Sequence, residues 1–474
     1  MARHNYKFRP KPRFEGGEFI PPAPTPVEGH PQNWTITEHI RSAVALSQNP
    51  IQATTRITRQ MPYVKATLAG STLIVMSDPK MIKYVFVENA DNYRLNPIRQ
   101  AILRPILKDG LISAEDSIWK RTRRALSPLF TPRHTKGFAQ TMHIIALDLL
   151  PKIFANEGDI LLSDHMLKLA YLVLSETLFS GEIDEDIDQV LRDTSNLLIA
   201  LGKPDPLDIF NAPKWMPRVM RLRGHGSVRR MRRMILELIE KRRACLLAGE
   251  DIPDDFLTLL LRTTDDNGEC LNDFEIEDQI LTFVGAGHET TSRAMTWMFY
   301  LLSQDTNARD RLETEVDALD TSQPPETWAD HLPWTMACFE ETMRLYPPAP
   351  IISRQAIEPD SYGDALIEKD CNIMVNLWAL HRHENLWAEP DHFRPERFLS
   401  PAREKIDRFQ YLPFGMGKRV CIGQRFAMQE AAILIALTAR KYRFDYAGKT
   451  PPWPIMRITV QADNKMPMTV TKRR

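Results

Sequence analysis

The 474-residue chain carries 61 Lys and Arg against 61 Asp and Glu, a formal net charge of zero at pH 7. That balance excludes a whole-protein affinity for nucleic acid, and a hydrophobic content of 43% fits a globular protein with a polar surface. Five scattered cysteines, Cys245, Cys270, Cys338, Cys371 and Cys421, odd in number and without a Cys-x-x-Cys pair, argue against a disulfide framework or a structural zinc site and point to a reducing compartment.

Met1 to about Pro26 is rich in Pro, Arg, Lys and Glu and lacks an apolar run long enough for a signal peptide or membrane anchor, so a soluble, cytoplasmic protein is expected. Tyr63–Leu68 and Thr72–Met76, separated by Ala69-Gly70-Ser71, predict a β-hairpin, and Asp78-Pro79 predicts a cap and first-turn proline that open a helix. From about 137 to 183 apolar residues recur at helical spacing, as in Ile144, Leu147 and Leu150 and then Leu167, Leu172 and Leu174; amphipathic stretches follow after Arg229 and Leu257. Asn272 to about Leu302 is the longest helical candidate, opening with the capping box Asn272-x-x-Glu275 and aligning Ile280, Val284, Gly287, Thr291 and Ala294 on one face. Roughly 30 residues at about 1.5 Å each would span about 45 Å, enough to cross a domain. Tyr346–Pro350 ends the helix that carries Glu341, Ile351–Leu380 reads as strand-like, and Ala431–Leu437 reads as the interior of an apolar helix. There is no internal repeat.

Three segments carry chemistry. Phe414-Gly415-Met416-Gly417-Lys418-Arg419-Val420-Cys421-Ile422-Gly423 is a glycine-rich loop ending in a thiol just before a helix. A helix start aims free N–H groups and its positive dipole end at that thiol, which favours thiolate. The glycines permit close approach to a flat partner, and Arg419 supplies a cation for a carboxylate. Haem, planar and bearing acids, fits all three features. Taken alone, Cys421 also reads as a small buried hydrophobe, or as a nucleophile lacking a following histidine as base. In the long helix, Gly285 and Gly287 each cost about 1 kcal/mol against alanine. Close helix packing accounts for them, and so does space above a cofactor with an irregular turn that frees carbonyls for water. Glu341 and Arg344 read alone as a routine pair worth about 0.2–0.5 kcal/mol. His381 and His383 alternate on a possible strand without a third zinc ligand nearby, and helix phase leaves His288 facing either pocket or solvent.

Together, Phe414, Gly415, Gly417, Arg419, Cys421 and Gly423 match the cysteine-ligand signature of the cytochrome P450 (haem-thiolate monooxygenase) superfamily. Further markers stand in the family's order. Trp119 with Arg123 resembles its Trp-x-x-x-Arg helix, and Ala286-Gly287-His288-Glu289-Thr290-Thr291 its oxygen-activation segment. Glu341-Thr342-Met343-Arg344 resembles the Glu-x-x-Arg helix, and Pro395-Glu396-Arg397-Phe398 the segment that lends it a second arginine. The resemblance covers about residues 60 to 474 and is closest to soluble bacterial members. It implies a mainly α fold with small β-sheets, a large helical lobe and a small β-rich lobe around buried haem b (iron protoporphyrin IX). Length alone suggests about three domains; the resemblance implies an extended N-terminal arm, 1–35, and a single catalytic domain, 36–474.

The resemblance also implies roles. Cys421 is the iron ligand, pushing electron density towards bound oxygen; Thr290 holds that oxygen and an ordered water while Glu289 relays protons from bulk. Trp119, Arg123, Arg354 and Arg419 are the propionate partners, and Phe414 and Gly423 adjoin the cofactor. Glu341, Arg344 and Arg397 form a buried structural network. Residues 96–111, 190–225 and Ile351-Ile352 wall a pocket suited to lipid, terpenoid, steroid or aromatic substrates. The implied reaction inserts one atom of O2 into an apolar organic substrate, by hydroxylation or epoxidation. A peroxide-driven peroxygenase would not need Glu289 and Thr290; a non-enzymatic haem-thiolate sensor is the other alternative. No flavin or iron–sulfur domain is fused to the chain, so a separate ferredoxin or flavodoxin, with a reductase using NAD(P)H, is expected at Lys120, Arg121, Arg123 and Arg124. A second basic run, Lys214 through Arg223 to Arg243 with Trp215, Met216 and Met220 interleaved, reads as a solvated face or as a lid touching a membrane surface or acidic substrate.

Overall fold

Caps, prolines and alternation set the element boundaries in the computed structural model, which describes residues 12–473 apart from 36, 39–41, 43, 44, 46–48, 69, 70, 183–186, 203–223, 266 and 267. Two short strands, β1 (Arg13–Glu15) and β2 (Glu18–Ile20), pair and bury Phe19 in the main core. The Phe393 N–H donates to the Phe19 carbonyl at 2.8 Å, and the Tyr346 hydroxyl donates to that of Pro22 at 2.8 Å, so the described part of the arm is pinned to the body. β3 (Tyr63–Leu68) and β4 (Ser71–Met76) form the expected hairpin. Asp78 caps α1 (Pro79–Lys83) by accepting from the Lys80 N–H at 3.0 Å, with Pro79 in the first turn, where an N–H is not missed.

Then come β5 (Tyr93–Leu95), α2 (Pro97–Leu107), α3 (Asp116–Leu126), α4 (Pro132–Ile153), β6 (Gly158–Leu161), α5 (Leu162–Phe179), α6 (Ile187–Gly202), α7 (His225–Ala248) and α8 (Phe256–Arg262). α9 (Asp273–Gln304) starts at the predicted capping box: Asn272 accepts from the Glu275 N–H at 3.0 Å and Glu275 from the Asn272 N–H at 2.8 Å. Its 32 residues pass through the main core against α5. α10 (Thr306–Ala318) and α11 (Pro333–Leu345) lead to β7 (Ile351–Ala356) and β8 (Asn372–Asn376); α12 (Gln424–Lys441), β9 (Tyr442–Tyr446) and β10 (Pro467–Lys472) complete the chain.

The architecture is mainly α with small sheets, as expected. A five-stranded sheet in the order β3-β4-β8-β7-β5 pairs β8 parallel with β4 and is otherwise antiparallel. Ile74, Met76, Ile373 and Val375, at every second position, bury one face of it as a separate core. One strand expectation fails at its end. Asn376 accepts from the Ala379 N–H at 3.3 Å and turns Leu377–Leu380 into a single helical turn. His381 and His383 therefore follow a turn and do not alternate on a strand; among the described residues no cluster of potential metal ligands is found. Lys214, Trp215, Met216, Met220 and Arg223 lie outside the described residues. Among the described residues, no helix is long and apolar enough to cross a membrane.

Candidate active site

The cysteine loop needs its glycines. Gly415 and Gly417 have φ of +73° and +65°, and a Cβ on Gly417 would lie 2.1 Å from the Phe86 carbonyl oxygen. The Cys421 N–H closes the loop on the Phe414 carbonyl at 2.9 Å. Of the five cysteines, Cys421 is the one lining a cavity of about 350 Å³ between the cysteine loop, α9 and the loop before α3. The loop acts in the expected sense, its Gly423 N–H favouring the thiolate, but it is not the larger influence. Burial dominates and pushes the thiol up, opposed by the Gly423 N–H and by Arg123. A bound metal cation would favour the thiolate further.

Arg99, Arg123, Arg354 and Arg419 all line this cavity. Burial, with repulsion from Arg419 and Arg99, brings Arg354 down to about 9; burial brings Arg419 down to about 10. Burial also lowers Arg123 and Arg99, and no carboxylate acts on Arg99. Their polar contacts are carbonyls: Arg99 Nη1 donates to Ile351 at 3.1 Å, Arg354 Nη1 to Ser353 at 2.8 Å and Arg419 Nη2 to Ala114 at 2.7 Å. The Arg419 guanidinium also sits 4.5 Å over the Trp119 ring. Four partly buried cations in one wall suit an anionic ligand. Haem would fit this lining: the arginines would hold its two propionates and Cys421 its iron, and a Cβ at Gly423 would find open space. Arg99 lies in the segment expected to wall the pocket, and nothing in its helical context distinguishes it from a surface arginine; the structure places it on the cavity.

Neutralising Arg354 as Arg354→Gln is expected to weaken haem binding about tenfold, the loss of one charge-assisted hydrogen bond of about 1.5 kcal/mol. It should leave the apo protein no less stable, because it relieves repulsion from two neighbouring cations. Haem titration of the apo protein with parallel thermal unfolding checks both halves.

On α9, Ala286, Gly287, Thr290 and Thr291 face the cavity. The helix is uninterrupted there, so the expected irregular turn is absent. Thr290 Oγ1 donates to the Ala286 carbonyl at 2.9 Å, satisfying it without breaking the helix. Gly287 also serves packing, since its missing Cβ would stand 3.0 Å from Leu174 Cδ2 on α5; Gly285 faces Leu197, not the cavity. Glu289 is buried but does not line the cavity, and its Oε1 accepts from Arg293 Nη2 at 3.2 Å. His288 faces α5: its Nδ1–H donates to the Val284 carbonyl at 2.6 Å, its ring packs edge-on against Tyr171, and burial brings it down to about 4. Of the candidates named from sequence, Thr290, Cys421, Arg419, Trp119, Arg123, Arg354, Phe414 and Gly423 meet at one cavity, and Glu289 stands behind it. Leu174 and Leu178 of α5, and Phe130, were not foreseen as walls. Leu111 is held over the cavity by its N–H to Gln279 Oε1 at 2.9 Å, and the same loop is tied to α9 by the Asp109 N–H to Asp278 Oδ2 at 3.2 Å.

Beneath the cysteine loop, Glu341 and Arg344 are fully buried and paired at 2.6 and 2.7 Å, with Arg397 Nε 3.5 Å from Glu341. Of the four basic residues around Trp119, Arg123 turns inward and Arg121 pairs with Asp265 at 2.7 Å and with Glu275; Lys120 and Arg124 are exposed.

A thiol on a cavity walled by arginines, beneath an alcohol-bearing helix, suits a haem-thiolate protein. The cytochrome P450 family model matches residues 26–467, so the chain belongs to the cytochrome P450 family and is a monooxygenase of that family. It is similar to the cyclooctatin synthase of Streptomyces melanosporofaciens, 27% identical over 446 residues that cover 93% of each protein. It is also similar to the cytokinin hydroxylase of Arabidopsis thaliana, 27% identical over 82% of this chain and 76% of that protein. In fold it resembles the crystal structure of the cytochrome P450DA heme domain, with a TM-score of 0.78, 24% identity, and 96% of this chain and 98% of that chain covered.

Proposed function

We propose that this enzyme inserts one atom of O2 into an apolar organic substrate, by hydroxylation or epoxidation, using haem b held by Cys421 and electrons from a separate redox protein. The observation that carries the reading is the meeting of the Cys421 thiol, the arginine wall and the Thr290 hydroxyl on one cavity. Arg99, Arg123, Arg354, Arg419 and the Trp119 indole would bind the propionates. When bound, the thiolate-ligated haem supplies oxygen activation and favours O–O cleavage. The protein's share is to exclude water, hold the substrate and deliver protons. Leu111, Ile112, Leu174, Phe283 and Ile352 give the substrate side an apolar lining, which supports an apolar substrate. Lys120 and Arg124 on the exposed side of α3 support an acidic donor such as ferredoxin or flavodoxin, with a reductase using NAD(P)H. A cytoplasmic setting is supported by the cysteine usage.

Thr290 would hold a proton-bearing water at the cavity, with Glu289 as the acid behind it. Thr290→Ala is expected to leave haem content and substrate-induced spectral change intact while diverting most reducing equivalents to peroxide. Product and peroxide formed per NAD(P)H check it; unchanged coupling removes the role. The reading as a whole is tested by the absorption spectrum of dithionite-reduced protein with carbon monoxide. A strongly red-shifted Soret band is expected, and a histidine-type spectrum overturns the reading.

A further inference from the structure

Three walls of the cavity meet on one residue that does not line it. His381 is 0% exposed, and the proposed chemistry makes no use of it. Burial, with the charges of Arg344 and Arg382 beside it, brings it down to about 3, so the ring is neutral. Its Nε2 accepts from the Leu412 N–H at 3.0 Å, which leaves the ring proton on Nδ1. Leu412 leads into Pro413, Phe414, Gly415 and Met416, all on the cavity. The His381 N–H donates to the Leu377 carbonyl at 2.9 Å, and its own carbonyl accepts from Arg344 Nη1 at 2.6 Å. Leu377 lines the cavity, as does Met343 beside Arg344 on α11. His381 thus ties together the end of α11, the turn after β8 and the cysteine loop. Leu412 is 3% exposed, so water is a poor substitute for the ring as acceptor for its N–H.

We propose that His381 is a positioning residue for the iron ligand: its Nε2 holds the turn that aims the Cys421 thiol and thereby sets the strength of the bond that thiol makes to iron. The proposal rests on the haem-thiolate reading of Cys421. The route runs through backbone. The Leu412 carbonyl accepts from the Gly415 N–H at 3.0 Å, and the Phe414 carbonyl from the Cys421 N–H at 2.9 Å. Gly415, at a φ of +73°, turns the chain between those two bonds. A Leu412 N–H without its acceptor frees the turn at the end remote from the thiol, and the Phe414 carbonyl that fixes the Cys421 backbone moves with it. The neutral ring matters, because a protonated one has no lone pair on Nε2 with which to accept.

The test compares wild type with His381→Gln, whose side-chain carbonyl reaches the place of Nε2, and with His381→Leu, which fills the site without an acceptor. Apo proteins are followed by amide hydrogen exchange at residues 411–416. Holoenzymes are followed by the reduced carbon monoxide spectrum and by the iron–sulfur stretch in resonance Raman scattering. In His381→Leu, exchange is expected to rise about tenfold, the loss of one buried hydrogen bond. The iron–sulfur stretch falls, and part of the red-shifted Soret band moves to shorter wavelength. His381→Gln restores all three towards wild type, even where both variants lower the unfolding midpoint. Wild-type exchange and stretch in His381→Leu, or a His381→Gln protein that behaves as His381→Leu does, overturns the proposal while a wild-type red-shifted Soret band leaves the monooxygenase reading standing. Absence of that band in wild type defeats the reading of Cys421, and the proposal with it. If His381→Leu does not hold haem, His381→Gln decides: exchange and stretch near those of wild type support the role, and displaced values refute it.

Discussion

Replacing Cys421 with alanine is expected to abolish the red-shifted carbon monoxide spectrum and reduce oxygenation to background while leaving the fold standing. The two halves have separate physical grounds. No other cysteine lines the cavity: Cys338 and Cys371 are buried elsewhere, with thiols pushed up by desolvation, the latter to about 11. The loop itself is closed by backbone, through the Cys421 N–H to Phe414 at 2.9 Å and the Val420 N–H to Gly417 at 3.1 Å, and alanine keeps both bonds. Its glycines, which set the tight turn against Phe86, are also untouched. Stability of the apo protein should therefore change by about 1 kcal/mol or less. Circular dichroism and thermal unfolding of the apo variant check the fold, and the reduced carbon monoxide spectrum checks the ligand. A thiolate spectrum that persisted in Cys421→Ala would reassign the iron ligand.

Much of this site was legible in sequence because its parts are local. The cysteine loop, the capping box at Asn272 and the cap at Asp78 each declare themselves within a few residues, and the structure forms each as read. What escaped depends on which distant side chain turns towards the cavity. Arg99 and Glu430 sit on helices whose patterns give no reason to single them out, yet both line the cavity that Cys421 lines, one without a carboxylate partner and the other with an unpartnered oxygen. The same limit explains the opposite error. Gly287 and Arg121 carry expected motifs, but tertiary packing gives Gly287 a second task against Leu174 and commits Arg121 to ion pairs with Asp265 and Glu275. Leu377–Leu380 shows a local competitor, since the Asn376 cap overrides an apolar run that reads as strand.

Arg344→Ala is expected to destabilise the protein by about 3–5 kcal/mol and to empty the haem site, although Arg344 does not line the cavity. Its guanidinium holds Glu341 with two hydrogen bonds and donates further to the carbonyls of His381 at 2.6 Å, Pro390 at 2.7 Å and His392 at 2.9 Å. Removing it leaves the fully buried Glu341 carboxylate with the Arg394 N–H at 2.9 Å and a longer contact to Arg397 at 3.5 Å, and orphans three carbonyls. The damage has a route to the cofactor. His381, kept neutral by burial that brings it down to about 3, accepts from the Leu412 N–H at 3.0 Å. Leu412 in turn accepts from the Gly415 N–H at 3.0 Å, inside the cysteine loop. Displacing His381 thus loosens the turn that aims Cys421. Arg344→Lys should rescue little, because an ammonium cannot reproduce a planar, two-point grip on Glu341 together with three carbonyl bonds. Haem-to-protein absorbance ratio and denaturant unfolding measure the two effects, and an Arg344→Ala protein with full haem content and an unchanged unfolding midpoint would show that the network is not what supports the loop.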